Sequence, residues 1–220
     1  MYKQNNNREF ERELQKKGNT EFGLIRHGET LWNIEKRVQG QKNSPLSENG
    51  IKMAETWGQI LKDKGYDRIL ASDLGRTMET AAVINKFLNV FVSAEKKLRE
   101  MDWGSFTGKI YRNVKKGSPD IVDYGEMEGW DFHPPGGESR RSVYARSAEA
   151  LKGAAKMWPN EKILVVTHEG VIHCIVNFLK NRKFIFSESM ILKPFHVHNL
   201  ICGENGLSIL KLNAINLKQQ

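Results

Sequence analysis

Residues 162–167 read KILVVT and run directly into His168. The consecutive side chains of Ile163, Leu164, Val165 and Val166 offer no polar face. A strand with one face in water alternates apolar and polar residues. An uninterrupted apolar strand therefore belongs in the middle of a parallel sheet, covered on both sides. Parallel neighbours need crossover connections, and the rest of the chain supplies them. The pattern predicts a strand at 21–26 and a helix capped by Ser47 that presents Ile51, Ala54, Trp57 or Gly58, and Leu61, and stops at Gly65. A second strand, 67–72, leads into a helix at 74–88 with Met78, Ala81, Ala82 and Ile84 on one side. A short strand follows at 90–94. The helix at 139–158 turns Val143, Ser147, Leu151 and Ala154 or Ala155 inward, and a helix at 171–180 follows His168. A hairpin at 196–202 and 206–212 completes the pattern. Strands alternating with helices predict a three-layer α/β sandwich with a mostly parallel central sheet flanked by helices.

The length, 220 residues with 39% hydrophobic content, suits one sizeable core. We expect a single domain over 21–220, preceded by a polar arm at 1–20. Residues 105–138, polar and rich in glycine, with HPPGGES near the end, read as an insertion or lid that selects the substrate. The formal charge of +8 fits an anionic ligand. Its basic residues are scattered, with short clusters such as Lys96-Lys97, Lys115-Lys116 and Arg140-Arg141, so no nucleic-acid partner is expected. No apolar run is long enough to span a membrane, and the amino terminus lacks the apolar centre of a signal peptide. Cys174 and Cys202 form no CxxC and no zinc cluster, which fits a reducing cytoplasm, and Cys174 reads as buried and inert. Neither GxGxxG nor a P-loop occurs.

Polar residues recur where the predicted strands end. Arg26 and His27 follow the first strand, Ser72 to Arg76 the second, and His168 the fourth. Ligands of open α/β sheets bind beyond the carboxyl ends of the strands, so these residues are candidates to converge. Two arginines and two histidines without metal-ligand spacing suit a phosphate monoester. Arginine forks grip phosphoryl oxygens, and a neutral imidazole can attack phosphorus. Arg76 also sits in the first turn of its helix, where a cation opposes the dipole unless an anion is present.

The segments LIRHGETLWN, QGQKNSPLSENG, ASDLGRTMETA, LREMDWGSFTG, PPGGES and VVTHEGVI together resemble the histidine phosphatase superfamily, the phosphoglycerate-mutase-like group, over about residues 21–180. The resemblance implies that His27 is the nucleophile that becomes phosphorylated. It implies phosphoryl contacts from Arg26 and Arg76, with His168 completing the pocket. Asn33 and Gly40 match further phosphate contacts, and Glu100 matches the proton donor. No cofactor and no metal are implied. Burial near Trp103 and Phe106 would keep Glu100 protonated.

Within the family, mutases carry arginine where this chain has Met101 and tyrosine where it has Trp103, followed by an arginine pair for the substrate carboxylate. Here Arg140-Arg141 come only after PGGES, a segment resembling the broad-specificity and α-ribazole phosphatases. The expected activity is therefore a phosphomonoesterase on small phosphorylated metabolites, working as a monomer or homodimer. A phosphoglycerate mutase is the alternative, and a non-catalytic phospho-ligand-binding module is the alternative of another class. Glu169 stands where most relatives have glycine. Its backbone is expected to touch phosphate while its side chain points out of the pocket and pairs with a cation. His173, His196 and His198 read as packing or hairpin residues, and His133 as a loop residue.

Overall fold

A computed structural model describes residues 18–117, 129–185 and 187–218. The polar arm falls almost wholly outside this range. Strands β1 (Thr20–Arg26), β2 (Arg68–Ala71), β3 (Phe91–Ala94), β4 (Lys162–Thr167), β5 (His196–Gly203) and β6 (Gly206–Asn216) form one sheet in the order β3-β2-β4-β1-β5-β6. The first four in that order are parallel, while β5 runs antiparallel to β1 and β6 to β5. β4 is central, as its composition requires. Ile163 and Val165 pack into one core with Val143, Leu151, Val171 and Ile175. Leu164 and Val166 pack into the other with Ala54, Trp57, Leu61 and Ile84. All four β4 residues are fully buried.

Helices α1 (Leu31–Ile34), α2 (Glu48–Leu61), α3 (Gly75–Leu88), α4 (Tyr111–Gly117), α5 (Arg140–Met157) and α6 (Glu169–Leu179) lie along the chain between the strands. α2 and α3 cover one sheet face; α5 and α6 cover the other. Ser47 and Ser139 cap α2 and α5 through side-chain bonds to Gly50 N–H and Ser142 N–H. The inward face of α3 differs from the predicted one. Ala82 is exposed, and Thr80, Ala81, Val83 and Ile84 are buried, because the helix is rotated to bury Arg76 and Thr77 in its first turn.

α6 begins at Glu169, two residues earlier than the pattern suggests, with His168 as its N-cap. β6 reaches Asn216 instead of 212, since two register shifts opposite Asn199 let the strands stay paired. Part of the presumed insertion is fastened to the body. Val38 N–H donates to the Lys109 carbonyl, Gly108 N–H to Val38, and Tyr111 N–H to Lys36. Residues 118–128 lie outside the described range. No helix among the described residues is long and apolar enough to cross a membrane.

Candidate active site

The parallel ladders bring three strand ends together. His27 N–H donates to the Thr167 carbonyl, and Ser72 N–H to the Val166 carbonyl, both at 3.0 Å. In the order β2-β4-β1 this lines up Ser72, His168 and His27 side by side. The rings of His27 and His168 meet edge to face with centroids 5.3 Å apart. The RHG loop turns tightly because it touches α2. A Cβ on Gly28 would come within 2.7 Å of the Gly50 carbonyl oxygen, so backbone packs on backbone there.

Each polar side chain is held by named partners. His27 Nδ1 lies 2.7 Å from the Gly28 carbonyl, so it carries the proton. Arg76 Nε–H faces His27 Nε2 at 3.2 Å, which leaves Nε2 as the ring nitrogen with the lone pair. Arg76 is 1% exposed. Its Nη1 and Nη2 donate to the carbonyls of Lys42 (2.7 Å) and Gly40 (2.8 Å), which fixes the guanidinium while leaving N–H groups for an anion. His168 Nε2 lies 2.9 Å from Ser72 Oγ, and its Nδ1 is buried without a partner among the described residues. An orphaned buried donor or acceptor costs about 1–3 kcal/mol, so this nitrogen is suited to a bound oxygen. α3 and α6 both start at the cluster, and neither Leu74 nor His168 caps its helix through its side chain. Such open N-termini favour negative charge.

Glu100 arrives from the loop after β3. Thr167 Oγ1 ties that loop to β4 by donating to the Leu98 carbonyl at 2.8 Å. The Glu100 carboxylate accepts from Met101 N–H at 2.8 Å and Gly170 N–H at 3.3 Å. A Cβ at position 170 would stand 2.4 Å from Glu100 Oε1, so the glycine of HEG makes room for this carboxylate.

Electrostatics separate the two titrating types. Burial, then Arg26 and Arg76, hold the His27 imidazole well below its ordinary value. Burial, then Arg76, do the same to His168. Both rings are neutral at pH 7. Burial pushes Glu100 up, against the pull of the Met101 N–H and of Arg76. Burial lowers Arg76 to about 10, so it stays charged. The cluster thus offers a neutral imidazole lone pair, two guanidiniums and a carboxyl group inclined to keep its proton.

Asn33 and Gly40 stand in supporting geometry. Asn33 Oδ1 accepts from Thr30 N–H and Thr30 Oγ1, closing a capping box on α1. Gly40 has a left-handed φ of 51° and contributes the carbonyl that holds Arg76. The expectation for Glu169 needs correction. Its carboxylate does pair with a cation, but that cation is Arg26, at 2.5 Å, and both side chains line one cavity. With α6 starting at Glu169 itself, the side chain leaves the first turn beside the end of β1 and meets the nearest guanidinium.

That cavity, about 490 Å³, is also lined by Met53 and Trp57 of α2, by residues 192–196, and by His173 and His198. The three histidines read as packing residues therefore face it, and no described residue of 105–138 does. Sequence periodicity could not show this, because β5 reaches the cavity only through its antiparallel pairing with β1. Arg140 and Arg141 point elsewhere. Arg140 donates to the carbonyls of Gly129 and Phe184, and Arg141 pairs with Asp131. Ser72, one of the polar residues expected at the end of the second strand, is brought to His168, whereas Thr80 (which accepts from Gly28 N–H) and Gly170 carry no signal in the sequence pattern.

The profile of the Histidine phosphatase superfamily (branch 1) matches residues 22–215, nearly the whole described chain. The chain belongs to the histidine phosphatase superfamily. A relative from Cronobacter sakazakii, named probable phosphoglycerate mutase GpmB, is 35% identical over 163 residues, covering 70% of this chain and 72% of that one. Among solved structures, YhfR of Bacillus stearothermophilus superposes with a TM-score of 0.82 at 26% identity, covering 90% of this chain and 98% of that one. A mycobacterial glucosyl-3-phosphoglycerate phosphatase superposes with a TM-score of 0.78 at 25% identity, covering 89% and 99%. Histidine phosphatases of this superfamily thus include both phosphatase-named and mutase-named relatives, and this chain is a phosphatase or mutase of that fold.

Proposed function

We propose that this histidine phosphatase is a phosphomonoesterase acting on small phosphorylated metabolites through phosphorylated His27. Arg26, Arg76 and His168 hold the phosphoryl oxygens, with Asn33 and the backbone at Glu169 beside them. His27 Nε2 attacks phosphorus, the ester P–O bond breaks, and Glu100 gives its proton to the leaving alkoxide. The resulting Glu100 carboxylate then takes a proton from water, whose oxygen attacks phospho-His27 and releases inorganic phosphate with His27 neutral again. Phosphoryl transfer depends chiefly on positioning and charge neutralisation, which two guanidiniums can supply. Gly40 acts through its carbonyl on Arg76.

The observation that carries hydrolysis over transfer is the fate of the arginines. A mutase must hold the carboxylate of its phosphoglycerate while the intermediate turns over. Here Arg140 and Arg141 are engaged at Gly129, Phe184 and Asp131, and residues 118–128 contain no arginine. The mutase reading draws on the name of the Cronobacter relative. Incubation with 3-phosphoglycerate and with p-nitrophenyl phosphate, in EDTA, separates the two. We expect inorganic phosphate from both, without loss of rate to the chelator. Formation of 2-phosphoglycerate faster than phosphate release would replace the phosphatase with a mutase. In the same reading the enzyme works in a reducing cytoplasm, where Cys174 and Cys202 persist as buried thiols.

A further inference from the structure

Arg146 lies on α5, outside the phosphate cluster, and bridges the segment that carries Glu100 to Glu138. Its Nη2 donates to the Glu100 carbonyl at 3.1 Å and its Nη1 to the Lys97 carbonyl at 2.6 Å. The same guanidinium forks onto Glu138, with Nε to Oε1 at 2.7 Å and Nη2 to Oε2 at 2.9 Å. Glu138 in turn reaches the other side of the loop. Its N–H donates to the Asp102 carbonyl at 2.9 Å, and its carboxylate accepts from Asp102 N–H at 3.4 Å. Residues 97, 100 and 102 are thus fixed from one ion pair. Both partners are less than one-fifth exposed, so water competes weakly for these bonds.

The neighbouring glycines let the two backbones approach closely. A Cβ on Gly137 would meet the Asp102 carbonyl oxygen at 2.5 Å, and one on Gly104 the Pro135 carbonyl oxygen at 2.2 Å. The segment HPPGGES, expected from sequence to be part of a lid, is a backbone template against which the Glu100 loop is cast.

We propose that Arg146, through its ion pair with Glu138, is the positioning residue for Glu100. It sets the distance over which that carboxyl delivers its proton, and it touches neither substrate nor phosphate. This rests on Glu100 being the proton donor. A proton donor matters in proportion to the basicity of the leaving oxygen, whereas a damaged phosphate cradle slows every ester alike. Two esters of similar shape, 4-nitrophenyl phosphate with a weakly basic phenolate and 4-nitrobenzyl phosphate with a strongly basic alkoxide, therefore distinguish the two.

For Arg146→Met, kcat/KM on the nitrobenzyl ester is expected to fall about tenfold or more, while the nitrophenyl ester stays within about threefold. Glu138→Gln is expected to move both in the same sense by less, and it carries the test if Arg146→Met fails to give a cooperative thermal melt. Glu100→Gln is the reference and should show the same contrast more strongly. Equal losses on both esters in folded Arg146→Met and Glu138→Gln, or no loss on either, would overturn the positioning role while Glu100→Gln keeps its contrast. An absence of contrast in Glu100→Gln itself would remove the proton donor, and the positioning role with it.

Discussion

Two residues at the site carry opposite protonation demands, and the fold moves their pKa values in opposite senses. In the proposed reaction His27 must be neutral to attack, and Glu100 must hold a proton to give. With ordinary values of 6.5 and 4.5 the two states are never both dominant. Burial lowers the first and raises the second, which moves the two required states toward a shared pH range. Activity is lost as pH falls through the lowered value of His27 and again as pH rises through the raised value of Glu100. A bell-shaped kcat/KM profile with its maximum on the acid side of neutrality is expected, and a profile rising steadily above pH 8 would contradict these roles. Glu169 adds a second residue-scale consequence. Its bond to Arg26 joins two well-exposed side chains, a type worth about 0–1 kcal/mol, so it can weaken phosphate binding but cannot block it. For Glu169→Gln we expect the inhibition constant of inorganic phosphate to drop roughly two- to fivefold, the equivalent of that energy. An unchanged or higher constant would contradict a competition between Glu169 and the anion for Arg26. The Glu169 partner was not legible in sequence, since side-chain direction depended on α6 starting at position 169.

Elements explain why the site is where it is. β4 is the element that sequence disclosed most completely, because a four-residue apolar run has few other places to go. Its neighbours β2 and β1 set Ser72 and His27 beside His168, and the order of strands, unlike their existence, was not readable from local pattern. Truncation of β4 should damage the scaffold before it damages the chemistry. Leu164, fully buried between Ile69 and the α2–α3 layer, is expected to cost about 2–5 kcal/mol as Leu164→Ala. Urea unfolding monitored by tryptophan fluorescence reads this as a lower midpoint, and a change below about 0.5 kcal/mol would contradict the central placement of the strand. The α3 misreading has the same origin at a smaller scale. Hydrophobicity places Ala82 inward, but the helix buries the polar pair Arg76 and Thr77, whose side chains donate to the carbonyls of Lys42 and Gly40 and of Ser72 and Leu74.

At the scale of the whole molecule, four loops from four strand ends converge on one polar cluster, and a formal net charge of +8 favours the approach of anions. The residues proposed to bind and attack were legible because each ends a buried strand or opens a helix. The walls were not, because they come from distant pairings. β5 brings His196 and His198 to a cavity beside β1, and the backbone of HPPGGES packs against the Glu100 loop. In the proposed mechanism the phosphoryl group passes through His27. Glu100→Gln removes the base for the second half-reaction while leaving an activated ester able to react in the first, so the intermediate should accumulate. Alkaline quenching of this variant after mixing with 32P-labelled 4-nitrophenyl phosphate, followed by peptide mapping, is the most direct test. Label on the peptide containing His27, absent from the His27→Ala, Glu100→Gln double variant, is the expected result. Release of nitrophenol with no label on the protein, or label that persists in the double variant, would contradict it.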